Sequence, residues 1–203
     1  MDHSLFVKIC GLKTGHDVDV AVASGADAVG FVFSKSPRRI DVETAAKLCA
    51  RVPEGVLTVG VFRNEALEDT RAWAQDSGVQ AIQLHGSEDR AYFDALAGGS
   101  WTLLRAAAYD DPGLRFGDMG EDMLLLDAPV PGAGVAWDWS AVPALEGEKW
   151  LLAGGLTPAN VRAAVEAARP WGVDVSSGVE QSRGVKDPAL ITAFIQAARG
   201  TRD

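Results

Sequence analysis

The sequence is poor in the residues that build metal centres and disulfide frameworks. Its 203 residues include two cysteines, which are far apart and belong to no CxxC motif, and three histidines. Structural zinc sites need four closely spaced Cys or His ligands, and small secreted domains need cysteines in pairs. We therefore expect a reduced cytoplasmic protein that holds neither a metal ion nor a disulfide bond.

Long apolar runs and an excess of basic residues are missing as well. No run approaches the roughly 20 apolar residues that cross a bilayer, and the first residues lack the basic segment and apolar core of a signal peptide. The chain carries 19 Lys and Arg against 28 Asp and Glu, a net charge of −9. Nucleic acids and anionic membrane surfaces attract basic protein surfaces, so we expect neither as a partner.

What the chain does contain is a regular alternation of short apolar strands and amphipathic helices. Eight strands are predicted, and nearly all are followed by a helix, which is typical of a parallel sheet covered on both faces. After the fifth strand, Pro112 and three glycines within residues 110–120 predict a loop or broken turn in place of the fifth helix. Eight strands close a barrel, so we predict a single α/β domain, a (β/α)8 TIM barrel over residues 1–203. A doubly wound open sheet is the alternative, but strand one is not followed by G-x-G-x-x-G.

Capping signals predict several helix boundaries. Thr14 is suited to cap the first helix. After the seventh strand, Thr157-Pro158 combines a cap with a proline in the first turn and predicts a helix that runs to about Ala168. Two further helices are predicted over 139–145 and 188–199.

Two strands deliver side chains suited to acid–base chemistry. In the first strand, residues 6–10, Lys8 and Cys10 share one face because side chains alternate across a strand. The sixth strand ends in Asp127, a carboxyl group that follows an apolar run. Active sites of (β/α)8 barrels lie at the carboxyl ends of the strands, so Cys10 and Asp127 are the candidate general base and general acid.

These roles require unusual protonation states. A free thiol titrates near ~8.5 and a free Asp near ~3.9, so we expect a lowered pKa for Cys10 and a raised one for Asp127. Lys8 is expected to favour the Cys10 thiolate. Because strands one and eight are neighbours in a closed barrel, we also predict an ion pair between Lys8 and Asp174 below Cys10.

Two glycine-containing loops predict a phosphate site. Gly154 and Gly155 follow the seventh strand, and Ser176, Ser177 and Gly178 follow the eighth. Barrel enzymes commonly bind phosphate at these loops, because glycines let backbone N–H groups approach an anion. The alternative is that these glycines only make tight turns.

Arg38, Gln83 and His85 complete the candidate pocket. Arg38 lies in the loop after the second strand, and its guanidinium group suits a carboxylate or a phosphate. Gln83 and His85 point the same way at the end of the fourth strand, so we expect them to line the pocket. An ordinary hydrogen-bonded structural role for His85 is the alternative.

Eight segments, in this order along the chain, match a known family: residues 8–11, 25–33, 36–38, 59–62, 83–86, 125–127, 152–156 and 173–180. On these segments the chain resembles the phosphoribosylanthranilate isomerase family. The resemblance covers nearly the whole chain. It implies a (β/α)8 barrel and the Amadori rearrangement of N-(5-phosphoribosyl)anthranilate in tryptophan biosynthesis, without a cofactor. It also implies Cys10 as general base, Asp127 as general acid and Arg38 as the contact of the anthranilate carboxylate. We expect a small phosphorylated substrate and a monomer or homodimer.

One segment departs from the family pattern. After the acid, the family shows a glycine-rich stretch with a hydroxyl residue, whereas residues 131–137 keep a Gly-x-Gly core and lack the hydroxyl. Residues 128–137, with their glycines and prolines, are a candidate lid. Trp137 either covers the aromatic ring of the substrate or is packing.

Two rival functions stay open on the sequence. A sugar-phosphate epimerase needs His and Asp metal ligands, and the histidine-pathway aminoaldose isomerase uses two aspartates, whereas strand one here ends in Cys10. A non-catalytic sensor of phosphorylated metabolites would keep the pocket without turnover. The presence of both Cys10 and Asp127 argues against such a sensor.

Overall fold

Eight parallel strands close into a barrel in which each strand pairs with its neighbours in sequence and the eighth pairs with the first. The structure is a computed structural model that describes residues 4–111, 113–128, 139, 145 and 148–200. The predicted (β/α)8 architecture is confirmed. The barrel strands are β1 (Phe6–Cys10), β2 (Ala28–Val32), β3 (Leu57–Phe62), β4 (Ala81–Leu84), β5 (Thr102–Ala108), β6 (Met123–Asp127), β7 (Trp150–Leu152) and β8 (Gly172–Val175).

Helices cover the outside of the barrel after six of the eight strands in the described part of the chain. No described helix is long and apolar enough to cross a membrane. The first four helices follow β1 to β4, and the last two follow β7 and β8. They are α1 (Gly15–Ala23), α2 (Val42–Cys49), α3 (Leu67–Ser77), α4 (Arg90–Leu96), α5 (Val161–Ala168) and α6 (Pro188–Arg199).

A loop takes the place of a helix between β5 and β6, as the sequence predicts. The buried carboxylate of Glu121 organises this loop, because it accepts hydrogen bonds from the backbone N–H groups of Gly117 and Met119, each at 3.0 Å. Arg105 of β5 lies 4.0 Å from the same carboxylate. These polar contacts order the loop, and its apolar side chains Leu114, Phe116 and Met119 pack against the core in place of a helix.

Toward the amino ends of the strands, the interior of the barrel is filled with apolar side chains. Leu104, Leu125 and Leu151 belong to one buried interior cluster, and the rings of Phe6 and Trp171 stack against each other with centroids 4.5 Å apart. Most of the remaining core lies between the outer face of the strands and the helices. Because this part of the interior is filled, the open space of the barrel lies at the carboxyl ends of the strands.

Some predicted helix boundaries are confirmed and one is wrong. Thr14 caps α1 by accepting from the Asp17 N–H at 3.1 Å, and α6 spans the predicted residues 188–199. The helix after β7 begins at Val161 rather than at Thr157-Pro158. Asn160 explains the difference, since its side chain accepts from the Thr157 N–H and donates to the Gly155 carbonyl, which stabilises a turn there. The helix predicted over 139–145 lies almost wholly outside the described residues.

A short hairpin after β8 was not predicted. Its strands, β9 (Glu180–Ser182) and β10 (Val185–Lys186), pair in antiparallel fashion. Gly184 at its tip has φ +81°, and a Cβ there would lie 2.6 Å from the carbonyl oxygen of Pro37. The hairpin tip therefore lies directly against the loop after β2.

Candidate active site

A cavity of about 280 Å³ lies at the carboxyl ends of the barrel strands and brings together most of the predicted site residues. Lys8 and Gly178 are not among the lining residues: Lys8 lies fully buried within the barrel, and Gly178 packs against the neighbouring loop. The predicted residues that do line the cavity are Cys10, Arg38, Gln83, His85, Asp127, Gly154, Gly155, Asp174, Ser176 and Ser177.

The predicted ion pair inside the barrel is present. Lys8 of β1 and Asp174 of β8 are partners in the strand register, and Lys8 Nζ lies 2.7 Å from Asp174 Oδ1. Burial works to lower the pKa of the Lys8 ammonium group, but the charge of Asp174 together with the Cys10 sulfur outweighs burial and raises it. Lys8 therefore stays charged in the middle of the barrel, directly below the candidate base.

The protonation state of Cys10 differs from the sequence-based expectation. Burial raises the pKa of the Cys10 thiol, whereas the Lys8 ammonium group lowers it; Asp174 raises it further and Lys186 lowers it. The two cations do not cancel the effect of burial, so the expectation of a lowered pKa for Cys10 was wrong. The sequence showed Lys8 but not how deeply the sulfur is buried.

A glycine on the neighbouring strand makes room for the Cys10 sulfur. Gly30 of β2 is the strand partner of Cys10, and a Cβ on Gly30 would lie 2.9 Å from Cys10 Sγ. Any larger residue at this position would force the sulfur to move. The strand pairing and the small neighbour thus fix where the candidate base lies.

Asp127 has one short hydrogen bond and one longer side-chain contact. Its Oδ1 accepts from the N–H of Ala128 at 2.8 Å, and its Oδ2 lies 3.5 Å from His85 Nε2. The other ring nitrogen of His85, Nδ1, lies 3.4 Å from Gln83 Nε2. Gly154 lets the next loop approach, since a Cβ there would lie 2.7 Å from Asp127 Oδ1.

The structure shows a buried network beside the thiol that the sequence did not predict. Glu180 accepts from Arg38 Nε at 2.6 Å and from Arg38 Nη2 at 3.0 Å. Lys186 Nζ donates to Glu180 at 3.1 Å and to the Ser176 carbonyl at 2.7 Å. Burial would raise the pKa of Glu180, but Arg38, the Gly184 N–H and Lys186 lower it overall. Burial lowers the pKa of Lys186.

No signal in the sequence pointed to Glu180 and Lys186 as partners. Glu180 belongs to a segment that carries the family resemblance, and Lys186 follows an irregular polar stretch. Their pairing depends on the hairpin, whose strands of two and three residues are too short for a period-two pattern.

The two predicted phosphate loops meet at one side of the cavity. Gly154 and Gly155 have φ of +82° and +69°, which favour glycine. A Cβ on Gly178 would lie 1.8 Å from the Leu156 carbonyl oxygen, so this glycine permits the close approach of the two loops. Ser176 and Ser177 line the same wall of the cavity.

Comparisons with known proteins identify the family. Residues 7–197 match the family model of N-(5'-phosphoribosyl)anthranilate (PRA) isomerase. The chain belongs to this family. The PRA isomerase of Dechloromonas aromatica is 44% identical over 202 residues, which cover 95% of each chain. TrpF from Jonesia denitrificans, whose crystal structure is known, has 44% sequence identity to this chain. The match covers 97% of this chain and 98% of TrpF, and the TM-score is 0.89.

A further solved PRA isomerase contains a ligand. Its sequence is 36% identical to that of this chain. The match covers 97% of this chain and 99% of the solved structure, with a TM-score of 0.79. Its ligand is reduced 1-(o-carboxyphenylamino)-1-deoxyribulose 5-phosphate. The family places the protein in tryptophan biosynthesis as an isomerase that converts an aminoaldose to an aminoketose.

Proposed function

We propose that Cys10 and Asp127 perform the isomerisation of N-(5-phosphoribosyl)anthranilate as general base and general acid. One observation carries the proposal: a thiol and a carboxyl group from different strands line the same cavity, and no other Cys lines it among the described residues. The reaction opens a sugar ring and moves a proton between carbons. It therefore requires one acid and one base that face the same sugar.

Asp127 acts first. Its carboxyl proton passes to the furanose ring oxygen as the bond between that oxygen and C1 breaks, and the nitrogen lone pair forms the C1=N bond of an iminium ion. The N–H of Ala128 keeps the carboxyl group oriented. His85, whose Nε2 lies 3.5 Å away, stabilises the carboxylate that remains.

Cys10 acts second. Its thiolate removes the proton from C2, the C2–H electrons form the C1=C2 bond, and the C1=N electrons return to nitrogen to give an enolamine. Transfer of the enol proton to C1 then yields the ketone, 1-(2-carboxyphenylamino)-1-deoxyribulose 5-phosphate. The unliganded thiol is protonated because burial raises its pKa, so it must release this proton to solvent as the substrate binds, before the proton is taken from C2. The iminium cation formed beside it favours the thiolate when the base is needed. After the reaction, the proton gained by Cys10 leaves to solvent and Asp127 takes one up, which restores the acid.

The two anionic ends of the substrate have separate contacts in this proposal. The phosphate group binds the backbone of Gly154 and Gly155 and the hydroxyl-bearing loop at Ser177, at the wall where the two loops meet. The anthranilate carboxylate binds Arg38, which Glu180 holds in place. The candidate lid over 128–137 lies outside the described residues apart from Ala128.

The decisive test is turnover by the purified protein. Loss of the fluorescence of phosphoribosylanthranilate should follow enzyme addition, and pretreatment with a thiol alkylator should abolish it. The product analogue should protect the protein from the alkylator because Cys10 lies in the cavity. A Cys49→Ser variant, which removes the other thiol, should show the same loss and the same protection. Full activity after complete alkylation of Cys10 would overturn the proposed base.

We further propose that the isomerase acts in the cytoplasm as a monomer or homodimer, on a small phosphorylated molecule and not on nucleic acid. Its two free thiols, Cys10 and Cys49, suit a reducing compartment.

Among the described residues, Val185 is the one large apolar side chain that is exposed, which leaves little apolar surface for assembly. Light scattering should give the mass of one or two chains, and a larger assembly would contradict this proposal.

A further inference from the structure

The cavity mouth has a charge balance opposite to that of the whole chain. Four cations line it against two carboxylates, and one of these, Asp174, is already paired with Lys8. The chain as a whole has 19 basic and 28 acidic residues, so composition does not explain this local excess of positive charge. The four cations are Lys35, Arg38, Arg63 and Arg183.

These four cations differ in what they contact. Arg38 uses Nε and Nη2 to bind Glu180, which leaves only its remaining N–H groups for a substrate. Within the part of the chain that the structure describes, the side chains of Lys35, Arg63 and Arg183 form no ion pair, and all three residues are exposed. Their donors are therefore available to an anion in the cavity.

The hairpin tip, which carries Arg183, is connected to Arg38. The carboxylate of Glu180 that binds Arg38 also accepts from the N–H of Gly184 at 3.0 Å, so one carboxylate connects the Arg38 side chain to the hairpin tip. The close approach of Gly184 to the Pro37 carbonyl oxygen fixes the tip against the loop that carries Arg38. Lys35 and Arg63 have no comparable connection among the described contacts.

We propose that Arg183 is a substrate-binding residue that contacts the anthranilate carboxylate together with Arg38. The inference rests on the proposed function, in which the phosphate group lies at the Gly154–Gly155 wall and the carboxylate at the loop after β2. The hairpin tip borders that second loop. A second guanidinium group supplies the donors that Arg38 has committed to Glu180.

The first test compares Arg183→Gln with a matched control. Because Arg183 contacts a part of the substrate that does not react, its loss should raise KM by about tenfold while kcat changes by less than about twofold. Arg183→Lys keeps the positive charge, so its KM should lie between that of Arg183→Gln and that of the wild type. Arg162→Gln removes an exposed arginine on α5 that pairs with Glu166 away from the cavity, and its KM should match that of the wild type.

The second test identifies the substrate group that Arg183 contacts. The dissociation constant of the reduced product analogue should rise about tenfold in Arg183→Gln, whereas that of an anilino analogue without the carboxylate should change by less than about twofold. Equal losses for both analogues, or no loss for either, would overturn the inference. A wild-type protein without turnover would contradict the proposed function instead, so the two failures are distinguishable.

Discussion

Cys10 lies above the buried ion pair of Lys8 and Asp174 and beside a second buried lysine, whereas Asp127 is held by the Ala128 N–H and one long contact to His85. The base end of the cavity is thus built from charges on two barrel strands, β1 and β8, and on the hairpin. The acid end is built from backbone geometry. Both groups exchange a proton with the substrate in the proposed mechanism, so each must be held within reach of its target atom, and the two ends of the cavity achieve this in different ways.

The base end and the acid end of the cavity should be equally necessary for turnover. Cys10→Ser and Asp127→Asn should each lower kcat by roughly 10²–10⁴, the usual range for the loss of a positioned acid or base. Steady-state kinetics with matched protein concentrations measures both. If either variant kept the wild-type kcat, its residue would be neither the acid nor the base of the reaction, and the contrast between the two ends of the cavity would not concern catalysis.

The two ends should differ in what they contribute to stability. Lys8→Met leaves the Asp174 carboxylate buried without its partner, and this should lower the free energy of unfolding by about 3–5 kcal/mol. Asp127→Asn keeps an acceptor for the Ala128 N–H, so the free energy of unfolding should change by less than about 1 kcal/mol. Urea denaturation of both variants tests this contrast, and similar losses in both would contradict it.

The thiol at the base end should be protonated at neutral pH. Burial holds the pKa of Cys10 above its usual value, so the thiolate fraction grows as pH rises toward that pKa, and the rate of alkylation should rise about tenfold per pH unit between neutral pH and about 9. The measurement uses Cys49→Ser, because burial also raises the pKa of Cys49, to about 11. An alkylation rate that is already constant from pH 7 upward would show a lowered pKa.

The smallest effect should come from His85. Its 3.5 Å separation from Asp127 is longer than a normal hydrogen bond, so His85→Gln should lower kcat by only about three- to tenfold. Steady-state kinetics of this variant beside Asp127→Asn measures the ratio of the two effects. Equal losses would mean that His85 itself transfers the proton, and the acid end would have to be redefined.

The parts of the molecule that follow from local patterns could be predicted from the sequence. Pro112 and the glycines around it predicted the loop that replaces the fifth helix. The closure of an eight-stranded barrel predicted that Lys8 would meet Asp174, and the strand register pairs these two residues. Both inferences use either short-range propensity or a topology that fixes which strands are neighbours.

The parts that depend on packing could not be predicted. The side chain of Asn160 stabilises a turn that delays α5 to Val161. The hairpin that joins Glu180 to Arg38 is too short to leave a pattern, and the raised pKa of Cys10 depends on burial that no single strand reveals. The contacts of Glu180 with Arg38 and Lys186 were therefore visible only in three dimensions.

A crystal structure with the reduced product analogue tests the central claim most directly. The account predicts Cys10 Sγ within about 4 Å of C2 of the sugar chain, and a carboxylate oxygen of Asp127 within about 2.6–3.2 Å of the oxygen that belonged to the furanose ring. The two groups should lie on opposite sides of the bound analogue. An analogue that occupies the cavity with either group more than about 6 Å from its target atom, or with both groups on one side, would contradict the account.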